Sequence, residues 1–480
     1  MTRRAVLGAA RTALAALVAG CSFPWERPGP APRSLPWPAP TPPREAQEAL
    51  RLVVGREGLP ALDDAVRRLI GEAAVQVGLR VEVQDLADFL HPRRAGPAGA
   101  GTAQGTRSAE TVAHRLLATV QAGVAPDALL LLGRQGQAAR FRAMGLVLDA
   151  SEPMRGAVRR FGALPAVAEV VYVIGGNWLA VPYYQRLVGH WAREDALRSL
   201  GLDPEGALDY AALRPLLGGP GGGDTTDADA WCWGVIHAWG GGLADHDGGR
   251  VILSSPHTVA ALRWLAETLA APARGVGARP AGAGPAEAAG EEAFLSGTTA
   301  YTYNEWGPVA GATASPAGGG AAAVYLRTPA GPAARPRAVG GGAAWFLPRG
   351  ARQDAVERFL DALREPARQR ALWQAGAGFA LPAHDGLWDE AGPSGPLAAV
   401  PEGQVRRNVQ RFRDELTNGG FVSATGNGGP ETAASQAIGA ARLGARMLRA
   451  VLRGRPAEAV VAEAHDLAVQ LFRDYGLQGA

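Results

Sequence analysis

Residues Ala128-Leu129-Leu130-Leu131-Leu132 are apolar at every position. A strand with no polar alternation is buried on both faces, which requires a sheet covered by helices on both sides. The preceding chain supplies the rest of such a unit. Arg51-Leu52-Val53-Val54-Gly55 reads as a strand, and Leu59 to Gly78 as a helix with Leu62, Val66, Leu69 and Ile70 on one face. Leu79-Arg80-Val81-Glu82-Val83 alternates as a second strand. Ser108 is placed to cap a helix carrying Val112, Leu116, Leu117 and Val120. This β-α-β-α-β order predicts a parallel sheet with helical crossovers. Its strands end in polar, glycine-flanked tips, Arg56-Glu57-Gly58 and Gly133-Arg134-Gln135-Gly136. Such tips are where open α/β sheets make their ligand contacts.

A chain of 480 residues is too long for one small domain. The formal net charge of +3 is small for that length and gives no nucleic-acid signature. All 48 basic residues are arginine, which excludes a Walker-type phosphate loop and any Schiff-base lysine. There is no Gly-x-Ser-x-Gly, no His-Glu-x-x-His and no Cys/His cluster, so neither a metal nor a cofactor is expected. Arg3-Arg4 open the chain, and an apolar run follows up to Val18-Ala19-Gly20-Cys21. Residues 1–20 are expected to be an export signal, since the run is too short to span a bilayer. Cys21 after Ala-Gly resembles a bacterial lipobox, which implies lipidation there. Residues 21–48 form a proline-dense tether that would hold a body off the membrane. Cys232 is then left as a buried, unpaired small hydrophobe.

Further along, Asn177 to Tyr184 reads as a strand whose Pro182 marks an edge or a crossing segment. Residues 185–217 read as mostly helical, and Trp231 to Ile236 as strand-like. Ser255-Pro256 starts a helix. Tyr301-Thr302-Tyr303 is a short strand running into Asn304-Glu305-Trp306-Gly307-Pro308. Strands are also expected at 323–326 and 340–347, and helices at 356–363, 402–416, 432–453 and 456–474.

The order of several short segments resembles the extracellular solute-binding proteins of ATP-driven uptake systems, in the branch that binds sugars and oligosaccharides. The resemblance rests on Ala125-Pro126-Asp127 before the buried strand, Leu179-Ala180-Val181-Pro182-Tyr183, Gly241-Gly242 with Ser255-Pro256, Ala293 to Ala300 through Trp306, and Gly378-Phe379-Ala380-Leu381-Pro382. It implies an α/β, two-lobe periplasmic-binding-protein-like fold with a ligand cleft between discontinuous lobes. Lobe I would comprise 50–178 and 340–395, and lobe II 185–338 and 396–474. It further implies a monomeric lipoprotein on the outer face of the cytoplasmic membrane, binding a sugar by lobe closure and delivering it to the transmembrane subunits of an ABC permease.

Sugars offer apolar C–H faces and a rim of hydroxyls, so their sites want flat aromatics and polar side chains. Trp306 and Trp239 stand at element ends beside glycines. Trp345 follows Gly340-Gly341-Gly342, and Trp233 or Trp231 alternates with Cys232. The rim candidates are Glu57, Gln135, Asn304 and Tyr184, with Glu57 also able to pair with Arg56 at the surface. The same fold could instead take a peptide, polyamine or anion. A secreted glycoside hydrolase would need two carboxylates, for which Glu57 and Glu305 are the available pair.

Overall fold

The computed structural model describes residues 49–91, 108–132, 138–164, 166–186, 188–217, 228–245, 248–270, 294, 299–305, 323–333, 337–340, 342–376, 380–390, 404–418, 420–423 and 431–477. In chain order the strands are β1 (Leu50–Val54), β2 (Val81–Asp85), β3 (Ala128–Leu132), β4 (Val173–Ile174), β5 (Asn177–Trp178) and β6 (Val181–Arg186). Then come β7 (Val188–Arg193), β8 (Tyr301–Glu305), β9 (Ala323–Leu326), β10 (Arg337–Gly340), β11 (Gly342–Phe346), β12 (Ala380–Pro382) and β13 (Gly420–Ser423). They form two main sheets and two small ribbons. The first main sheet has six strands in the order β12-β6-β11-β3-β1-β2, the second three in the order β8-β7-β9, and the ribbons pair β4 with β5 and β10 with β13.

The first sheet is the predicted β-α-β-α-β unit, extended by strands that return from far along the chain. β1 pairs in parallel with β2 and β3. β11 joins antiparallel to β3, and β6 antiparallel to β11, so β6 runs in the same direction as β1 and β3. All five β3 residues are buried, as their unbroken apolar run requires. Separate cores form on the two faces of the sheet. One gathers Leu52, Leu130, Trp345 and Phe359, and the other Val53, Leu129, Leu131 and Phe346. β6 is an interior strand, but β12 pairs only with Tyr184–Arg186, so Pro182 is paired to β11 alone among the described strands and sits at a locally edge-like place. The register shifts between Ala343 and Ala344, so Tyr183 becomes an extra residue on β6. A bulge of this kind lets a proline occupy a paired strand.

Asp127, just before β3, is fully buried and explains the Pro-Asp step in the sequence. Its carboxylate accepts from the Arg51 N–H at 2.9 Å and from the Arg352 guanidinium at 3.0 Å. It also accepts from the Arg352 N–H. One carboxylate thus ties the first strand to the entry of the helix Gln353–Leu363.

The second sheet is centred on a strand that the sequence reading missed. Residues 188–193 were expected within a helical stretch but form β7, paired antiparallel to both β8 and β9. Val, His and Trp in Val188-Gly189-His190-Trp191 are poor helix formers and good strand formers. Trp191 is accordingly buried in a strand. The reverse correction applies to Trp231–Ile236, which lies in the helix Ala228–Ala238, buried along its whole length. A helix enclosed on all sides shows no periodicity to separate it from a buried strand. The expected 432–453 helix breaks into Ala433–Ala440 and Leu443–Leu452 around Arg442, a non-glycine residue at φ 51°. Helices and sheet share one core, with Trp233, Leu262, Tyr301, Leu448 and Phe472 among its members. Cys232 is buried there, and burial pushes its thiol pKa up.

The outer edge of β9 is sealed by side chains of the helix Gln404–Asn418. Asn408 accepts from the Tyr325 N–H and donates to the Ala323 carbonyl, both at 2.9 Å. Arg411 donates to the Tyr325 carbonyl at 2.8 Å, and Glu415 accepts from the Thr328 N–H. These bonds satisfy a strand edge that would otherwise recruit another strand.

Two outcomes are expected. Asp127→Ala should lower unfolding free energy by about 3 kcal/mol, read by urea denaturation, because it removes the fully buried acceptor of the Arg51 N–H, the Arg352 N–H and the Arg352 guanidinium. The second concerns His190, buried in the second sheet with Nδ1 2.5 Å from the Tyr301 hydroxyl. Burial lowers its pKa from 6.5 to about 3. Between those values the unfolded chain binds a proton that the folded chain does not, so stability is complete above 6.5 and falls as pH drops toward 3. His384, lowered to about 4 by burial, acts with the same sign. His190→Gln should therefore lose less stability between pH 7 and pH 5 than the wild type, measured by urea midpoints. An equal loss would contradict the assignment.

Candidate functional site

The chain passes from one sheet to the other where β6 ends at Arg186 and β7 begins at Val188. That edge of the first sheet is also where β1 and β3 end, because all three strands run the same way. In the second sheet, β8 pairs with β7 so that Asn304 lies opposite Gly189 and Glu305 opposite Val188. The end of β8 is therefore delivered to the same crossing. Gly189 is required there, since a Cβ would overlap the Tyr325 ring. The topology thus gathers the tips of β1, β3, β6 and β8 around the crossing.

At this crossing the structure places a compact polar cluster. After β1 the chain turns through Gly58, at φ 79°. The turn is fixed by Asp63, whose carboxylate accepts the Glu57 N–H at 2.9 Å and the Gly58 N–H at 3.1 Å. Glu57 is thereby aimed across the sheet tips toward β6. Its side chain is only 5% exposed. Its carboxylate accepts from the Tyr184 hydroxyl at 2.6 Å and lies 3.5 Å from the Arg186 guanidinium, itself 18% exposed. Burial and the Glu57 charge raise the Tyr184 pKa well above its ordinary value, so the phenol stays protonated as a donor. Arg56 does not take Glu57 as a surface partner. It pairs with Asp85 at the end of β2, as does Arg67.

Arg186 is the residue the sequence reading missed. Its signal was its position, the last residue of β6 and two residues before the second sheet begins, but the strand had been ended at Tyr184.

The aromatic candidates divide. Trp239 follows the helix Ala228–Ala238 and is half-buried, its ring 4.8 Å from Trp264 and 5.5 Å from Tyr210 between centroids. Trp345 is 1% exposed and packs against Tyr183 and Phe359 in the first core. Trp233 is likewise fully buried in the second core. Enclosed rings leave no face for a ligand, so both are assigned to packing. Trp306, Gln135 and Cys21 lie outside the described residues, and so does the side chain of Asn304.

Residues 104–392 match the family model of the bacterial extracellular solute-binding proteins. This chain belongs to that family. No curated protein sequence matches it. Among solved structures, UgpB from Mycobacterium tuberculosis in complex with glycerophosphocholine superposes with a TM-score of 0.62 at 18% identity, over 89% of this chain and 99% of that one. The GacH receptor of Streptomyces glaucescens, solved unliganded and with acarbose, gives 0.61 at 17% identity over 89% and 100%. An ABC transporter solute-binding protein of Thermotoga lettingae bound with alpha-D-tagatose gives 0.59 at 16% identity over 88% and 100%. These likenesses show a two-lobe, periplasmic-binding-protein-like fold.

Glu57 is the acceptor on which two largely buried donors converge. Tyr184→Phe should cost about 1 kcal/mol of stability, and Glu57→Ala about 2 kcal/mol or more, in chemical denaturation. Equal losses would mean that Arg186 does not depend on Glu57.

Proposed function

We propose that the protein binds a neutral sugar or oligosaccharide between its lobes and passes it to an ABC permease. Glu57, Tyr184 and Arg186 form the floor of the site. The observation that carries this reading is the charge balance there. Glu57 and Arg186 already offset one another, so a cationic polyamine or an anion would meet no net opposite charge from them. A polyol, by contrast, can exchange hydroxyl hydrogen bonds with a carboxylate and a guanidinium at once. The solved relatives that carry tagatose or acarbose supply the same class of ligand.

In this reading Asn304 and Gln135 extend the rim, and Trp306, next after β8, stacks on a sugar face. The half-buried Trp239 is a second stacking surface in this reading. Lobe I then comprises 50–178 and 340–395, and lobe II 185–338 and 396–474. Ligand bridging both lobes shifts the hinge equilibrium toward closure. Bringing a 99:1 open population to 1:99 takes about 5.5 kcal/mol of differential binding. The protein is proposed to act as a monomer, exported by residues 1–20 and anchored through a lipid on Cys21, with the 21–48 tether as spacer. It is a binding protein and not a hydrolase in this account, since Glu57 is engaged by Tyr184 and Arg186; the side chain of Glu305, the other carboxylate a hydrolase pair would use, lies outside the described residues.

A thermal-shift panel tests the ligand class, using tagatose, maltose, mannobiose and acarbose with spermidine and glycerol 3-phosphate as charged comparisons. A sugar present at 100 times its Kd should add about 2.7 kcal/mol to stability. Stabilisation by a charged compound and by none of the sugars would overturn the reading.

A further inference from the structure

The two lobes are also joined through side chains. The helix Ala138–Ala143 belongs to the first lobe through Phe141, and the helix Ala433–Ala440 to the second through Ala434 and Ile438. Between them, the Arg140 N–H donates to Gln436 Oε1 at 3.1 Å, across 296 residues of sequence. The other end of the same amide, Nε2, donates to Glu431 Oε2. Gln436 is 3% exposed, with Arg140 at 5% and Glu431 at 6%. The amide is thus oriented from both ends in a site closed to water. Separating the lobes would break its bond to Arg140 and expose both groups.

This contact adjoins the binding floor. Tyr172 lies within electrostatic reach of both Glu431 and Arg186. Its hydroxyl donates to the Gly342 carbonyl at 3.2 Å. Gly342 opens β11, so closely packed on β6 that a Cβ there would meet the Tyr184 carbonyl. Two hydrogen-bonded groups, Arg140–Gln436–Glu431 and Tyr172–Gly342, therefore lie within electrostatic range of each other between the interlobe contact and the crossing strands.

We infer that Gln436 is an interlobe latch, whose side-chain amide joins the Arg140 N–H of the first lobe to Glu431 of the second and holds the lobes in the arrangement seen here. The inference rests on the two-lobe fold and not on the identity of the ligand. Gln436 touches no ligand in this account. It is a positioning residue that sets how often the lobes are found together, and apparent affinity scales with that fraction. Removing one net hydrogen bond should reduce the population of this arrangement relative to separated lobes about five-fold. Apparent ligand affinity should weaken by up to the same factor.

The test is a ligand-free distance measurement. Spin labels at Val75→Cys and Leu452→Cys report on the two lobes from exposed helical positions. A Cys21→Ser background leaves only the buried Cys232, which burial keeps protonated and unreactive. Gln436→Leu keeps the size but removes the polar amide, and Gln436→Asn keeps the amide but falls one methylene short. Both should shift the distance distribution to longer values and broaden it relative to the parent, with unchanged circular dichroism. If Gln436→Leu does not fold, Gln436→Asn carries the test. A distribution unchanged in the folded variants, or shifted to shorter distances, would overturn the latch. Either result would leave the sugar-binding reading standing.

Discussion

The structure depends on one stretch of chain that is a strand in both sheets. Val181–Arg186 is held between β11 and β12 in the first, and Val188–Arg193 between β8 and β9 in the second. A single residue separates them. Backbone hydrogen bonding on both sides of both segments fixes the direction in which the chain leaves one sheet and enters the other. Everything functional follows from that direction. The carboxyl ends of β1 and β3 face the crossing, as open α/β sheets require of a ligand site. The β7–β8 register brings Asn304 and Glu305 to the same place.

The polar floor at this crossing has a particular electrostatic character. A lone carboxylate as enclosed as Glu57 would be costly, and a lone guanidinium likewise. Placed together with the Tyr184 phenol they satisfy much of each other's demand where the two sheets meet. Such a surface can trade hydrogen bonds with water when the lobes separate and with a ligand when they meet. The second interlobe contact, Gln436 on Arg140, works in the same medium. Its strength comes from the absence of water around it, and it weakens as soon as the lobes part.

Much of the fold was legible where periodicity and punctuation agreed. The unbroken apolar run of β3, the amphipathic helix with Leu62, Val66, Leu69 and Ile70, and Ser255-Pro256 at a helix start all form as read. The failures share a cause. The helix holding Trp231–Ile236 is buried on every side, so no polar face betrays its period. β7 is short and flanked by a helix, and only its tertiary partners distinguish it. Of the candidate site, Glu57 and Tyr184 were found from strand ends alone, although their mutual hydrogen bond spans 127 residues of sequence and could not be read from it. Arg186 was lost by ending one strand two residues early. Trp345 and Trp233 were chosen for their glycine and small-residue neighbours, which here serve close packing instead.

The most direct test of the account is a crystal structure of the protein with a bound oligosaccharide. Sugar hydroxyls should lie within hydrogen-bond distance of both Glu57 and Arg186, with residues of the second sheet's β8 edge closing over the opposite face. A sugar seated elsewhere, with the Glu57–Tyr184–Arg186 cluster untouched, would contradict it.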